Sequence, residues 1–379
     1  MKATSANYLE VVDRIATEVI APAAAEIDRT GAYPRAALDN LGEAGILGLI
    51  SAEEVGGLGQ GLRAATLVVE RISRECASTG MVVCMHFSAT AVIEAHGPRE
   101  TREAIASGKH ITTLALSEFG SRSHFWAPLS TAQVVQGNGH VQLDARKSWS
   151  TSAGQVDSYV WSSRPVSAEG MSTLWLVPGK ADGLSIPAPF DGLGLRGNSS
   201  SPIIAEKVLV ENSARLGDDG GGFDIMMGIV LPYFQLMASG CSVGIMESAV
   251  SKAAGHVGKT KLEHISNSLA DLPTIRAYIA RIRIQTDMVR ALLLDTLSAL
   301  ENSREDAMLR VLEVKAAAGE ASTEVTDVAM RVCGGTAFRK EVGIERNFRD
   351  ARAATVMSPT TDLLYDFIGK AVCGLPLFG

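Results

Sequence analysis

The feature that most constrains this chain is a change of apolar period near residue 111 and its reversal near residue 220. Before the change, Val11, Ile15 and Val19 fall on one helical face, and Pro22 ends or bends that helix. Residues 36–45, 64–78 and 81–96 predict further helices, with a loop at Gly56-Gly57-Leu58-Gly59. Between 111 and 210, short β-prone runs alternate with turn residues. Val134-Val135-Gln136 and His140-Val141-Gln142-Leu143 flank Gly137-Asn138-Gly139, which predicts a hairpin. Runs at 158–161, 172–177, 184–187 and 203–210 predict more strands, and with no helices between them the sheet is expected to be antiparallel. After Gly220-Gly221-Gly222 the helical period returns: Ile275, Ile279, Ile282, Val289, Leu292 and Leu293 share a face, and Ser303 with Asp306 marks a helix start. The expectation is an α+β multidomain chain. It comprises an N-terminal helical domain at 1–112, a central antiparallel β-barrel or sheet at 113–220, and a C-terminal four-helix bundle at 221–379.

Composition narrows the function classes. A length of 379 residues calls for two or three packed sub-domains. Net charge is −7 without a basic run, so nucleic acid is not expected as a partner, because its affinity comes from clustered Lys and Arg against phosphate. No uninterrupted apolar run reaches the roughly 18 residues of a membrane span, and no export signal is read at the start, so a cytoplasmic protein with no membrane partner is expected. The five cysteines are scattered and form no CxxC pair, which fits reduced thiols, and the seven dispersed histidines suggest no metal. Gly192-Leu193-Gly194-Leu195-Arg196-Gly197 matches GxGxxG, but a polar stretch and another strand follow it where a phosphate-binding helix would be required.

Several stretches, in order, carry a family resemblance. They begin with Ile20-Ala21-Pro22 through Arg29, then Glu53 through Gly59, Leu116-Ser117-Glu118-Phe119-Gly120-Ser121-Arg122-Ser123-His124, and Lys147-Ser148-Trp149-Ser150-Thr151. They continue with Gly194-Leu195-Arg196, Leu216 through Phe223, Arg331-Val332-Cys333-Gly334-Gly335, and Arg349-Asp350-Ala351-Arg352. Over nearly its whole length the chain resembles the acyl-CoA dehydrogenase superfamily. The resemblance implies FAD as cofactor, an acyl thioester of CoA or a carrier protein as substrate, and a homo-oligomer, a tetramer or dimer. It implies that Trp149 lies against the isoalloxazine and Thr151 bonds its edge, with Leu116 and Ser117 on the other side. It assigns the adenosine end, held by a neighbouring subunit, to Arg331, Gly334, Gly335, Thr360 and Asp362. It places Ser123, Tyr233, Phe234, Gln235 and Ser358 around the substrate.

The departures from the family pattern bear on the reaction. The family removes a weakly acidic α-proton with a carboxylate. Ser358 stands at one family position for that Glu, Phe234 at the other, and Gln235 replaces the usual Arg beside it. Neither Ser nor Phe accepts a proton at neutral pH. Phe119, Arg122 and His124 replace family residues in the loop after Glu118, and the family's Arg-x-x-Phe-Gly element is unrecognisable at 252–259. Three readings remain. The first is an oxidation using O2 with monooxygenase chemistry, with Arg122, His124 and Glu118 as candidate catalytic residues. The second is an α,β-dehydrogenase with its base relocated to Glu118 or Glu94. The third is a non-catalytic flavin-binding protein.

Overall fold

The structure, a computed structural model, describes residues 2–121, 124–137, 139–263 and 267–378. Arg122 and Ser123, two of the candidate site residues, lie outside the described residues, as does Asn138 of the hairpin turn.

The N-terminal part is helical: α1 (Tyr8–Ile15), α2 (Ala21–Thr30), α3 (Arg35–Glu43), α4 (Leu62–Glu75), α5 (Ala77–His96) and α6 (Arg99–Ala106). The first helix does not end at Pro22. A π-type turn at Ala16–Ile20 joins α1 to α2, widening the ladder just before the residue that lacks an N–H. α5 is buried on nearly all sides, from Ala77 to Ile93, and runs through the middle of the molecule.

The middle part contains β1 (Thr112–Ala115), β2 (Thr131–Val135), β3 (His140–Ser150), β4 (Ser158–Ser163), β5 (Thr173–Pro178), β6 (Leu184–Ser185), β7 (Ser201–Glu211) and β8 (Arg215–Leu216). They form two four-stranded sheets, ordered β1-β4-β5-β8 and β2-β3-β7-β6, where a closed barrel had been one expectation. The β2–β3 hairpin pairs Val135 with His140, as its turn residues predict. One pairing departs from the antiparallel expectation: β1 runs parallel to β4, Thr112 opposite Ser158. The 40-odd residues between them make that possible, since they carry the chain through the other sheet and back. The GxGxxG stretch leads into a 3-10 turn at Arg196–Asn198 and then β7, so it opens no phosphate-binding helix.

The C-terminal part has α7 (Gly222–Ile225), α8 (Leu231–Lys259), a short β9 (Lys261–Leu262) and β10 (Asn267–Ser268) pair, α9 (Pro273–Glu301), α10 (Ala307–Cys333), α11 (Ile344–Ala351), α12 (Ala353–Val356) and α13 (Thr361–Val372). A second π-type turn, Met226–Val230, precedes Pro232 as the first precedes Pro22. α8, α9 and α10 are the long members of the bundle, with α4 packed along α8 and α11 to α13 along α10. α10 starts after Asp306 and not at Ser303, whose φ of 50° puts it in the preceding turn. The helical run Gly222–Lys259 has a mean hydropathy of 1.5 over 18 residues, enough to span a bilayer by composition, but 83% of that window is buried against the rest of the chain. It is a core helix.

One junction holds the three parts together. Arg349 of α11 donates to both oxygens of Asp28 on α2, at 2.8 and 2.6 Å, and to Leu193 O at 3.0 Å. Next to it, Asp350 accepts from Leu195 N at 2.7 Å. Gly194 must be glycine for this approach, since a Cβ there would stand 2.4 Å from Arg349 O.

Candidate active site

The end of β3 has an unusual backbone. Its register against β7 slips between Lys147 and Ser150, and within the slip Trp149 takes a φ of 53°. A bulge of this kind re-aims a side chain, and a left-handed tryptophan carries backbone strain of roughly 1–2 kcal/mol. The result is an indole 69% exposed, the largest apolar side chain offered outward by the β domain. Thr151, two residues on, is buried. Its Oγ1 lies 3.1 Å from Ser200 Oγ, and its carbonyl accepts from Thr113 Oγ1 at 3.0 Å. Ser148 N donates to Ser117 O at 2.9 Å, so the strand end carrying Trp149 lies directly beside Leu116 and Ser117. The structure therefore brings together four of the predicted flavin contacts: Leu116, Ser117, Trp149 and Thr151.

The other predicted cofactor residues are not brought together within one chain. Arg331, Gly334 and Gly335 sit at the C-terminal end of α10, where Arg331 donates to Tyr278 Oη at 3.2 Å and both glycines are exposed. Thr360 and Asp362 sit at the start of α13. That start packs near Gly319 and Lys315, 12 and 16 residues and so roughly 18 and 24 Å of helix away from Arg331. A ligand touching both sets would need residues from a second copy or an extended shape.

Of the candidate bases, Glu118 is fully engaged. Its Oε1 lies 2.6 Å from Lys147 Nζ and 2.5 Å from Ser130 Oγ, and its Oε2 accepts from Leu129 N at 2.6 Å and Ser130 N at 2.9 Å. A carboxylate offers about four acceptor sites, and four donors stand on this one. Burial alone would raise its pKa, but the Lys147 ammonium and these donors hold it below the usual carboxylate value. Lys147, fully buried, also donates to Ser162 O at 2.7 Å and Ser162 Oγ at 2.9 Å, and burial pushes its pKa down to about 8. Glu94 is half engaged: its Oε2 accepts from Arg102 Nε at 3.0 Å and Ala52 N at 3.3 Å, and its buried Oε1 has no partner among the described residues. His124 is exposed. Its Nδ1 lies 3.2 Å from Ser121 O and its ring meets Trp126 edge-on at 5.2 Å. Trp126 in turn packs against Phe125, Phe367 and Phe378, tying this loop to α13 and the chain end.

Tyr233 and Phe234 are half-buried in the first turn of α8, where burial raises the tyrosine phenol, and Gln235 beside them is wholly buried. Ser358 is half-buried in the turn between α12 and α13. That turn is gripped by a residue the sequence reading missed. Lys315 Nζ donates to Ala354 O at 3.2 Å, Met357 O at 3.0 Å and Pro359 O at 2.6 Å, and burial lowers its pKa to about 7. The signal was present, since Val311, Lys315, Ala318 and Ser322 share one face of a helix whose other members on that face are small or apolar. On either side of Lys315, Leu312 and Ala316 pack in one cluster with Leu231 of α8, so the Ser358 turn and the Tyr233–Gln235 turn approach the same region.

A helical, β and helical chain with an outward indole on a bulged strand offers a flat apolar face on its middle domain. The comparisons specify it further. Residues 3–108, 113–208 and 220–373 match the acyl-CoA dehydrogenase N-terminal, middle and C-terminal domains in turn. The mitochondrial short-chain specific acyl-CoA dehydrogenase of Bos taurus is 30% identical over 355 residues, covering 90% of this chain and 83% of the relative. Butyryl-CoA dehydrogenase from Megasphaera elsdenii superposes with a TM-score of 0.90 at 19% identity, over 98% of this chain and 99% of the other. The prolyl acyl carrier protein oxidase AnaB superposes with a TM-score of 0.87 at 18% identity, over 97% and 98%. The chain belongs to the acyl-CoA dehydrogenase family, whose members are flavoproteins with FAD as cofactor. The residues present fit that group: an indole held outward, with no ring stacked on it among the described residues, suits a flat apolar ring system, and the Thr151 hydroxyl, 3.1 Å from that of Ser200, follows two residues on.

Proposed function

We propose that this chain is an FAD-dependent oxidoreductase that oxidises an acyl thioester, borne by CoA or a carrier protein, with O2, and that it acts as a monooxygenase and not by carboxylate-driven α,β-dehydrogenation. The observation that carries the reading is the state of the carboxylates. Ser358 and Phe234 stand at the two family base positions, Glu118 is saturated by four donors, and Glu94 is paired with Arg102. Proton abstraction needs a basic atom within roughly 3 Å of the α-hydrogen, or one water away; neither family position supplies one, Glu118 has no acceptor site left, and Glu94 is held by Arg102 at the far end of α5.

Bound FAD supplies the two-electron acceptor. Trp149 would hold the ring, with Thr151 at its polar edge and Leu116 and Ser117 beside it. Arg331, Gly334, Gly335, Thr360 and Asp362 hold the adenosine end across a subunit contact, which makes the protein a homo-oligomer. Tyr233, Phe234, Gln235 and Ser358 enclose the acyl group. His124 provides a donor at the mouth, where preorganised donors stabilise developing negative charge; the family pattern assigns Arg122 and Ser123 to the same mouth and the thioester, and both lie outside the described residues.

A second reading, an α,β-dehydrogenase with a relocated base, is favoured by the near full-length similarity to a short-chain dehydrogenase. Flavin absorbance under argon separates the two. Butyryl-CoA and octanoyl-CoA are expected to leave the flavin of the unmodified protein oxidised, and Ser358→Glu or Phe234→Glu to permit slow bleaching. Rapid bleaching of the unmodified protein would establish the dehydrogenase.

A further inference from the structure

Gln235 has 0% of its surface exposed, yet neither its Oε1 nor its Nε2 has a hydrogen-bond partner. Its main chain is satisfied, the carbonyl accepting from Ser239 Oγ at 2.7 Å, so the deficit is confined to the carboxamide. Leaving a buried donor and a buried acceptor unmet is costly, and native proteins retain such groups where something else completes them.

The surroundings indicate what that something is. One turn earlier on α8, Leu231 belongs to the apolar cluster that contains Leu116 and Trp126 of the β domain and Leu312 of α10. Leu236 belongs to the core of the bundle, and Met237, with the partly buried Tyr233 and Phe234, packs into the core of the N-terminal helices. Gln235 therefore stands where three apolar cores meet, one residue from Phe234 and across from the helix that grips the Ser358 turn. A purely alkyl acyl chain entering there would satisfy neither atom of the carboxamide. An acyl group with its own donor and acceptor would satisfy both.

We propose that Gln235 is a specificity-determining residue that selects a polar acyl group, one bearing a hydroxyl or amide function on its chain, over the plain alkyl chain of equal length. The inference rests on the reading that this junction receives the acyl part of a thioester. The carboxamide accepts the ligand's O–H or N–H at Oε1 and donates from Nε2 to its oxygen.

The test is calorimetric binding to the oxidised, flavin-loaded protein under argon. The probes are hexanoyl-CoA and a set of equal-length acyl-CoAs in which one methylene is replaced by CHOH or one CH2–CH2 by an amide, at successive positions. The unmodified protein is expected to bind at least one polar member about tenfold more tightly than hexanoyl-CoA. In Gln235→Leu and Gln235→Met that ratio is expected to fall towards one. Both variants are also expected to melt at a higher temperature than the unmodified protein without ligand, because each removes two unmet polar atoms from the interior. Lower melting temperatures for both would show that the carboxamide serves the fold and would overturn the proposal. Binding of hexanoyl-CoA with no polar member preferred, or a preference unchanged in both variants, would overturn it while leaving the thioester reading standing. Failure of every thioester to bind would overturn both.

Discussion

Lys147 Nζ lies 2.6 Å from Glu118 Oε1 in the interior of the β domain, the lysine side chain 0% and the glutamate 3% exposed. The pair joins the end of β3 to the loop that follows β1, the two segments that carry Trp149 and Leu116-Ser117. It fixes the geometry of the proposed cofactor face, and the same contacts remove Glu118 from the list of available bases.

Removing one partner should leave an uncompensated buried charge, at a cost of roughly 3–5 kcal/mol. Lys147→Met and Glu118→Gln are both expected to lower stability in chemical denaturation, Lys147→Met more, since it takes the counter-charge from Glu118 and the Nζ donor from Ser162 O and Oγ together. The double variant Lys147→Met/Glu118→Gln, which keeps an acceptor for Leu129 N and Ser130 N, should recover much of the loss. Additive losses in the double variant would contradict a coupled pair.

Trp149 contributes little to the fold, because its indole is mostly exposed. Trp149→Ala is therefore expected to leave the melting temperature of the flavin-free protein nearly unchanged while weakening FAD retention by roughly 1.5–3 kcal/mol of apolar contact. Thr151→Val, which loses the contact to Ser200, should cost about 0.5–1.5 kcal/mol. Flavin titration of both variants checks the order. Wild-type retention by Trp149→Ala would contradict the assignment of the ring face.

Asp350 makes stability depend on pH. Burial raises its pKa to about 6, against an ordinary value of 3.8. A carboxyl whose folded pKa is raised contributes stability that is present below the unfolded value and lost as pH rises through the folded one. This contribution should therefore decline between about pH 4 and 6 and be absent at pH 8. Asp350→Asn keeps an acceptor for Leu195 N and removes the charge, so the variant should gain on the unmodified protein as pH rises across that window. Parallel stability curves for the two proteins would contradict the shift.

The sequence's two apolar periods disclosed the order of helical, β and helical parts, because alternation and helical spacing survive in any sequence whose elements have one buried face. The parallel β1–β4 pair was not legible, since Thr112–Ala115 is buried throughout and shows no alternation. Nor could spacing show that Pro22 and Pro232 lie inside continuous helical runs, which depend on π-type turns closing ahead of them. At the site, the family resemblance located Trp149, but its left-handed backbone comes from a register slip that depends on β7. The engagement of Glu118 by Lys147 is similarly invisible along the chain, where 29 residues separate the two. Lys315 was readable in principle, as a charge on an otherwise small and apolar helix face.

The most direct test of the proposed function is the mass of the product formed under oxygen-18 gas. With the carboxylates replaced or engaged, and the cofactor face intact, turnover of the true thioester substrate is expected to consume O2 and to place one labelled oxygen atom in the product. Unlabelled product, formed equally well under argon with an artificial electron acceptor, would contradict the account and return the enzyme to the dehydrogenases.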